Sequence, residues 1–109
     1  LRVPRGEWLL QTAAGSAVGR MVIRLGRLHG FHTLSVVRRR EQADELEQIG
    51  GAAVVVPDDV PLPEQVRAFT SAGVRYALDA VGGQLGSQVV QSLAPGGTSV
   101  QEIDRFFNG

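Results

Sequence analysis

Short apolar segments alternate with segments of helical periodicity along this chain of 109 residues. The apolar segments predict five strands, over residues 8–13, 33–37, 52–56 and 76–81 and from residue 98 onward. Between them, apolar residues recur every three or four positions and predict helices over residues 17–28, 41–49, 64–72 and about 85–93. Strands that alternate with helices in this way predict a parallel sheet with helices on both of its faces.

Finer features of the pattern set the limits of these elements. The apolar positions of the first helix are predicted at Val18, Met21, Val22, Leu25 and Leu28, with Gly30 as its C-terminal cap. In the second helix, the inward positions are predicted at Ala43, Leu46 and Ile49. The three prolines of segment 57–63 predict a loop, segment 94–97 predicts a turn, and segment 101–107 predicts a last helical piece.

The spacing is typical of an α/β, Rossmann-type doubly wound sheet of about five strands in the order 3-2-1-4-5, forming one domain over residues 1–109. The alternative is a flavodoxin-like sheet in the order 2-1-3-4-5. The small residues of the first loop favour the former.

The composition excludes several classes of site. The chain has no cysteine and no lysine, which excludes thiolate metal sites, disulfides and Schiff-base chemistry, and its two histidines, His29 and His32, are too few for a histidine-based zinc site. No metal is therefore expected. The net charge is zero and no apolar run reaches the roughly 18 residues of a membrane span. We therefore expect no nucleic-acid or membrane partner and a cytoplasmic location.

The first loop, residues 13–20, consists mostly of small residues. A dinucleotide loop needs them because the backbone turns sharply, approaches a pyrophosphate and lets the following helix pack on the strand. Only Gly19 keeps a glycine of the G-x-G-x-x-G pattern; Ala14 and Ser16 occupy the other two positions. An ordinary strand-to-helix turn explains the loop equally well when it is considered alone.

Three arginines, Arg38, Arg39 and Arg40, follow the second strand. In this fold that strand end lies beside the adenosine ribose, where an acid favours NAD and an arginine favours the 2′-phosphate of NADP. A solvated basic run is the plainer interpretation. RNA binding is a weaker one, because no aromatic residue is interleaved with the arginines.

The segment Asp79–Gly83 closes the fourth strand, and cofactors bind outside such strand ends. Its paired glycines, Gly82 and Gly83, would let the backbone approach a nicotinamide-side ribose. A plain strand-to-helix turn is again the alternative.

Together these motifs, with the segment Leu93–Thr98, resemble the cofactor domain of zinc-independent medium-chain dehydrogenases/reductases, the branch of the quinone oxidoreductases and NADPH-dependent 2-enoyl thioester reductases. The resemblance covers about residues 3–100. It implies NADP(H) as the cofactor and the following binding residues: Gly15, Ser16, Ala17, Val18 and Gly19 at the pyrophosphate; Arg38, Arg39 and Arg40 at the 2′-phosphate; and Val81, Gly82 and Gly83 along the cofactor.

The resemblance also implies what this chain lacks. In that family a separate domain supplies much of the substrate pocket. We therefore expect no catalytic residue in this chain and no turnover by this chain alone. The expected partners are a catalytic domain of the same enzyme and a second copy of the protein in a homodimer. In the complete enzyme, hydride would pass from NADPH to an activated C=C bond of a 2-enoyl thioester or quinone-like substrate. The alternative is a non-catalytic Rossmann-like module for nucleotide binding or oligomerisation.

Overall fold

The computed structural model describes residues 3–12, 17–57 and 60–101. They contain a five-stranded sheet in the order β3-β2-β1-β4-β5, in which every neighbouring pair is parallel. Its strands are β1 (Trp8–Gln11), β2 (His32–Val36), β3 (Ala53–Val55), β4 (Val74–Asp79) and β5 (Leu93–Gln101). The predicted fold class and the predicted strand order are confirmed, and the flavodoxin-like order is wrong.

Four helices cover the sheet: α1 (Ala17–His29), α2 (Arg40–Gln48), α3 (Leu62–Arg67) and α4 (Gly83–Gln91). Among these described helices, α1 and α2 pack on one face of the sheet, and α3 and α4 pack on the other. One buried cluster joins strand residues such as Leu34 to α3 and α4, and the other joins Val37 to α1 and α2. Along β3, Ala53 and Val55 belong to the first cluster while Val54 packs against the second, as the alternation of side chains along a strand requires.

The predicted apolar face of α1 is correct at Val22, which is buried, and wrong at three of its five positions. Met21, Leu25 and Leu28 are exposed, and the helix contacts the sheet through the four buried residues Gly19, Val22, Ile23 and Gly26. The helix approaches closely where it has glycine: a Cβ on Gly26 would lie 2.9 Å from the Phe31 carbonyl oxygen. The predicted cap at Gly30 has a φ of +83°, the left-handed conformation that suits this role.

α3 begins two residues earlier than predicted and ends five residues earlier, at Arg67. Pro61 and Pro63 do not prevent helix formation here, because the first turn of a helix has N–H groups without intrahelical partners and tolerates proline. Beyond the helix the chain continues in turns to Gly73, whose φ is +93°.

β5 contains the segment 94–97 that was predicted as a turn. Val74 pairs with Leu93 and Tyr76 with Thr98, so β5 advances five residues where β4 advances two. The surplus residues form a bulge, with a φ of +79° at Gly96. Gln101, predicted to start a helix, ends the strand, and residues 102–107 lie outside the described part of the chain.

Candidate functional site

The candidate site lies at the carboxyl edge of the sheet, where β1 ends between β2 and β4. The order reverses at this point, since β2 and β3 lie on one side of β1 and β4 and β5 on the other. In open parallel sheets a crevice forms at such a switch point, outside the carboxyl ends of the strands. The predicted site segments that the structure describes follow β1, β2 and β4, so all of them belong to this edge.

The first of these segments opens α1. Gly15 and Ser16 lie outside the described residues, whereas Ala17, Val18 and Gly19 form the first turn of the helix. Ala17 is exposed and Gly19 is buried. The unpaired N–H groups of a helix's first turn carry a partial positive charge.

A buried polar network holds this turn against the sheet. The amide Nε2 of Gln11 donates hydrogen bonds to the Gly19 carbonyl and to the Ser35 hydroxyl, both at 3.1 Å. Gln11 and Ser35 are fully buried. This Gln11–Ser35 network therefore fixes the start of α1 relative to β1 and β2, using neutral groups alone.

The three arginines lie at the end of β2 and at the start of α2. Arg39 is the N-cap residue, Arg40 is the first residue of the helix, and all three side chains are exposed. The Oε1 atom of Gln42 accepts a hydrogen bond from the Arg39 backbone at 3.2 Å. Among the described residues no carboxylate forms an ion pair with these arginines; the recorded ion pair joins Arg20 to Glu45 at 2.9 Å.

On the other side of β1, a buried carboxylate organises the turn after β4. The Asp79 atom Oδ1 accepts hydrogen bonds from the Thr12 hydroxyl at 2.9 Å and from the N–H group of Val81 at 3.0 Å. It also accepts one from the N–H group of Gly82 at 3.1 Å, and the Thr12 oxygen accepts one from Ala80 N–H at 3.0 Å. We call these two side chains the Thr12–Asp79 clamp.

The turn held by the clamp exposes backbone and one apolar side chain. Val81 is 48% exposed, and Gly82 and Gly83 have φ values of +72° and +60°. Among the described residues, a Cβ added to either glycine would meet no atom within 4 Å. The backbone here therefore borders open space, as a surface for close ligand approach requires.

These features fit a dinucleotide. The arginines that follow β2 carry guanidinium groups suited to an anion, and the open glycine turn that follows β4 lies on the opposite side of β1. No group of three or more histidine, cysteine or acidic side chains within the described ranges could hold a metal ion. Among the described helices, none has the length and apolarity to span a bilayer.

Other candidate residues lie elsewhere. His29 and His32 are exposed, and the His32 ring lies 5.0 Å from Trp8 at the start of β1, the opposite end of the strand from the site. The pairing of Arg20 with Glu45 joins α1 to α2. The two histidines are therefore not associated with the carboxyl edge, whereas Arg20 directly follows the first turn of α1 and is paired with a carboxylate.

Sequence reasoning missed Gln11, Thr12 and Ser35, and it included Asp79 only as the first residue of the segment that closes the fourth strand. One signal was available. Gln11 and Thr12 directly follow the apolar pair Leu9–Leu10, and Asp79 follows Ala77–Leu78. A polar residue at the end of a buried strand needs a hydrogen-bond partner, and such residues were candidates for a network at this edge.

Comparison with known proteins places the chain in a family. The family model for zinc-binding dehydrogenases matches residues 17–101. Among curated relatives, the mitochondrial enoyl-[acyl-carrier-protein] reductase of Rattus norvegicus is 33% identical over 100 residues, covering 87% of this chain and 27% of the rat protein. The enzyme of the same name from Dictyostelium discoideum is 31% identical over 105 residues, covering 92% of this chain and 30% of its own length.

Solved structures show the same likeness. A Bacillus thuringiensis protein, provisionally assigned as an NADPH:quinone reductase, superposes with a TM-score of 0.86 at 32% identity, over 91% of this chain and 30% of its own. A mycobacterial protein solved in complex with NADPH gives a TM-score of 0.83 at 25% identity, over 91% and 31%. The chain thus spans less than a third of each of these proteins. It belongs to the zinc-binding dehydrogenase family, as the cofactor-binding domain of a medium-chain dehydrogenase/reductase.

Proposed function

We propose that this chain binds NADP(H) at the carboxyl edge of its sheet. Gly15, Ser16, Ala17, Val18 and Gly19 would face the pyrophosphate, Arg38, Arg39 and Arg40 the 2′-phosphate, and Val81, Gly82 and Gly83 the nicotinamide half. The mycobacterial structural neighbour, which was solved with NADPH, supports this assignment.

The placement of the arginines carries the proposal. A cation at a helix N-terminus is unfavourable, because the helix dipole already makes that end positive, by roughly 0.3–1 kcal/mol per charge. Arg39 and Arg40 occupy the N-cap and first positions of α2 with no carboxylate paired to them among the described residues. A bound phosphate dianion would turn this unfavourable arrangement into a favourable one, since it would interact with both the guanidinium groups and the helix terminus.

We further propose that the chain is the cofactor half of a larger oxidoreductase. The rat and Dictyostelium relatives are named as enoyl reductases, and this chain spans 27% and 30% of them. Bound NADPH would supply a hydride for an activated C=C bond of a 2-enoyl thioester or quinone-like substrate. In this chain the residues of the site hold and orient the cofactor, and a catalytic domain of the same enzyme would supply the substrate side.

The remaining partner and location assignments stay predictions: a homodimer, no nucleic-acid or membrane partner, and a cytoplasmic location. The curated relatives named above are mitochondrial enzymes, so the location needs a direct measurement. Imaging of a fluorescent fusion of the whole protein would provide it.

Calorimetric titration with NADPH and NADH tests the cofactor assignment. We expect NADPH to bind more tightly, and the double variant Arg38→Ala/Arg40→Ala to lose about 100-fold or more in NADPH affinity, because each charge-assisted contact contributes roughly 1.5–3 kcal/mol. NADH, which lacks the 2′-phosphate, should bind both proteins equally.

A matched control removes two other exposed arginines, Arg24 and Arg75, which lie in the second turn of α1 and at the start of β4. Arg24→Ala/Arg75→Ala changes the net charge by the same amount and should leave NADPH affinity unchanged. Equal losses of NADPH affinity in the two double variants would show that the effect of Arg38 and Arg40 comes from the overall charge of the protein. Folded wild-type chain that binds neither cofactor would instead favour the non-catalytic module.

A further inference from the structure

The turn after β4 is held by two side chains that belong to two different strands. Three consecutive backbone N–H groups, those of Ala80, Val81 and Gly82, all donate to the clamp formed by Thr12 and Asp79. All three N–H groups of the turn before α4 therefore donate hydrogen bonds to the same pair of side chains. The clamp also joins the last residue of β4 to the residue that follows β1.

Burial of the Asp79 carboxylate in the clamp costs free energy, because burial removes the carboxylate from water. Asp79 is 1% exposed, and its second oxygen, Oδ2, is buried with no hydrogen-bond partner among the described residues. Leaving a buried polar atom unpaired is unfavourable. Oδ1, by contrast, accepts three hydrogen bonds, and hydrogen bonds to an ionised acceptor are stronger than neutral ones. The hydrogen bonds of Asp79 are therefore concentrated on one turn and on Thr12.

The clamp and the arginines act on different parts of the site. Thr12 and Asp79 are on the β4 side of β1, and Arg38 follows β2 on its other side. A dinucleotide bound at the switch point lies across β1. If its 2′-phosphate lies at the arginines, its other half must lie at the turn that the clamp holds.

We propose that the Thr12–Asp79 clamp is a positioning device for the nicotinamide half of the dinucleotide, an inference that rests on the proposed function. The clamp does not touch the cofactor. It holds the N–H groups of Val81 and Gly82, and Gly82 adopts a φ of +72° and a ψ of −158° that almost only glycine tolerates. Loosening the clamp lets the turn relax, which weakens contacts with that half alone.

Two ligands separate the halves: NADPH, and adenosine 2′,5′-bisphosphate, which carries the 2′-phosphate but lacks the nicotinamide half. Thr12→Val keeps the shape of the side chain and removes the hydroxyl that bonds Asp79 and Ala80. We expect this variant to bind NADPH about tenfold more weakly, which corresponds to two lost hydrogen bonds at the low end of their usual contribution, and to bind the bisphosphate unchanged. Thr12→Ser, which keeps the hydroxyl, should restore NADPH affinity.

Ser35→Ala is the matched control, because it removes one buried hydroxyl bond of the Gln11–Ser35 network on the other side of β1. It should lower the midpoint of thermal unfolding without lowering the ratio of NADPH to bisphosphate affinity. If Thr12→Val does not fold, Asp79→Asn provides the same test, since it keeps an acceptor oxygen and removes the charge. In Asp79→Asn, the ratio of NADPH affinity to bisphosphate affinity should also fall.

The outcomes separate the two proposals. Wild-type chain that fails to bind the bisphosphate overturns the proposed function, and this inference with it. Wild-type chain that binds the bisphosphate, with Thr12→Val or Asp79→Asn weakening both ligands equally or neither, overturns the inference and leaves the proposed function in place.

Discussion

The two sides of β1 stabilise the same edge of the sheet in different ways. Towards β2, neutral Gln11 and Ser35 form the buried network, and the charges, Arg38 to Arg40, lie exposed. Towards β4, the charge is buried in Asp79 and the exposed part is backbone, at Gly82 and its neighbour. The β2 side thus exposes charged side chains beside a neutral buried network, whereas the β4 side exposes a backbone turn that hydrogen bonds to the buried Asp79 hold.

This difference determines how each side responds to mutation. Exposed arginines contribute little to folding, so their removal should change ligand affinity and leave stability almost unchanged. Substitution of a buried carboxylate or a constrained glycine should affect folding and binding together, because the shape of the turn is itself the proposed binding surface. The proposed 2′-phosphate side is therefore the more easily altered of the two.

The largest expected effect comes from altering both sides at once. If the sides act independently, the triple variant Thr12→Val/Arg38→Ala/Arg40→Ala should lose about 1,000-fold in NADPH affinity, the product of its parts, because distant sites without shared partners add in free energy. Thermal-shift titration with NADPH suits such weak binding. A loss far from this product would show that the two sides are coupled through β1.

An intermediate effect is expected at Gly82. Gly82→Ala should destabilise the chain by about 1–3 kcal/mol, the cost of a conformation with φ of +72° for any other residue, and should weaken NADPH binding. Gly6→Ala is the control, since Gly6 has a φ of +85°, also borders open space, and precedes β1 at the opposite edge. Denaturant unfolding should show a loss of stability in both variants, and calorimetry a loss of affinity in Gly82→Ala alone.

The smallest effects are expected at the N-cap of α2. A substitution there should raise the stability of the chain and lower its affinity for NADPH. Arg39 has extended backbone angles, φ of −126° and ψ of 143°, which suit a serine cap. Arg39→Ser should add about 1 kcal/mol of stability, or roughly 4–8 °C in the unfolding midpoint, because it removes a cation from the positive end of the helix and supplies a hydroxyl that can accept from a first-turn N–H group. NADPH affinity should fall by about tenfold, the low end of the range for one charge-assisted contact. An unchanged midpoint would show that the arginine does not destabilise this helix.

The strand order could be predicted because it rests on patterns that act over short distances. Each buried strand is a compact apolar run, and the loop after β1 consists of small residues, so alternation and loop chemistry were enough. The proposed site segments could be located for the same reason, since in this fold they follow the carboxyl ends of particular strands.

Features that depend on tertiary contacts could not be predicted. The sequence of α1 has two apolar faces, and only the close approach at Gly26 selects the one that is buried. The partners of Gln11 and Asp79 lie on other elements, 24 and 67 residues away along the chain. Short-range periodicity contains no information about which polar residues meet across a sheet.

The bulge in β5 has a consequence for changes in chain length. After the surplus residues, pairing with β4 resumes at Tyr76 and Thr98 and continues to Asp79 and Gln101. Pro95 and Gly96 are exposed, while a Cβ on Gly97 would lie 3.0 Å from backbone oxygens. Insertions or deletions at Pro95–Gly96 can therefore be absorbed locally, and this point of the chain can vary in length without displacing the strand ends at which the site is built.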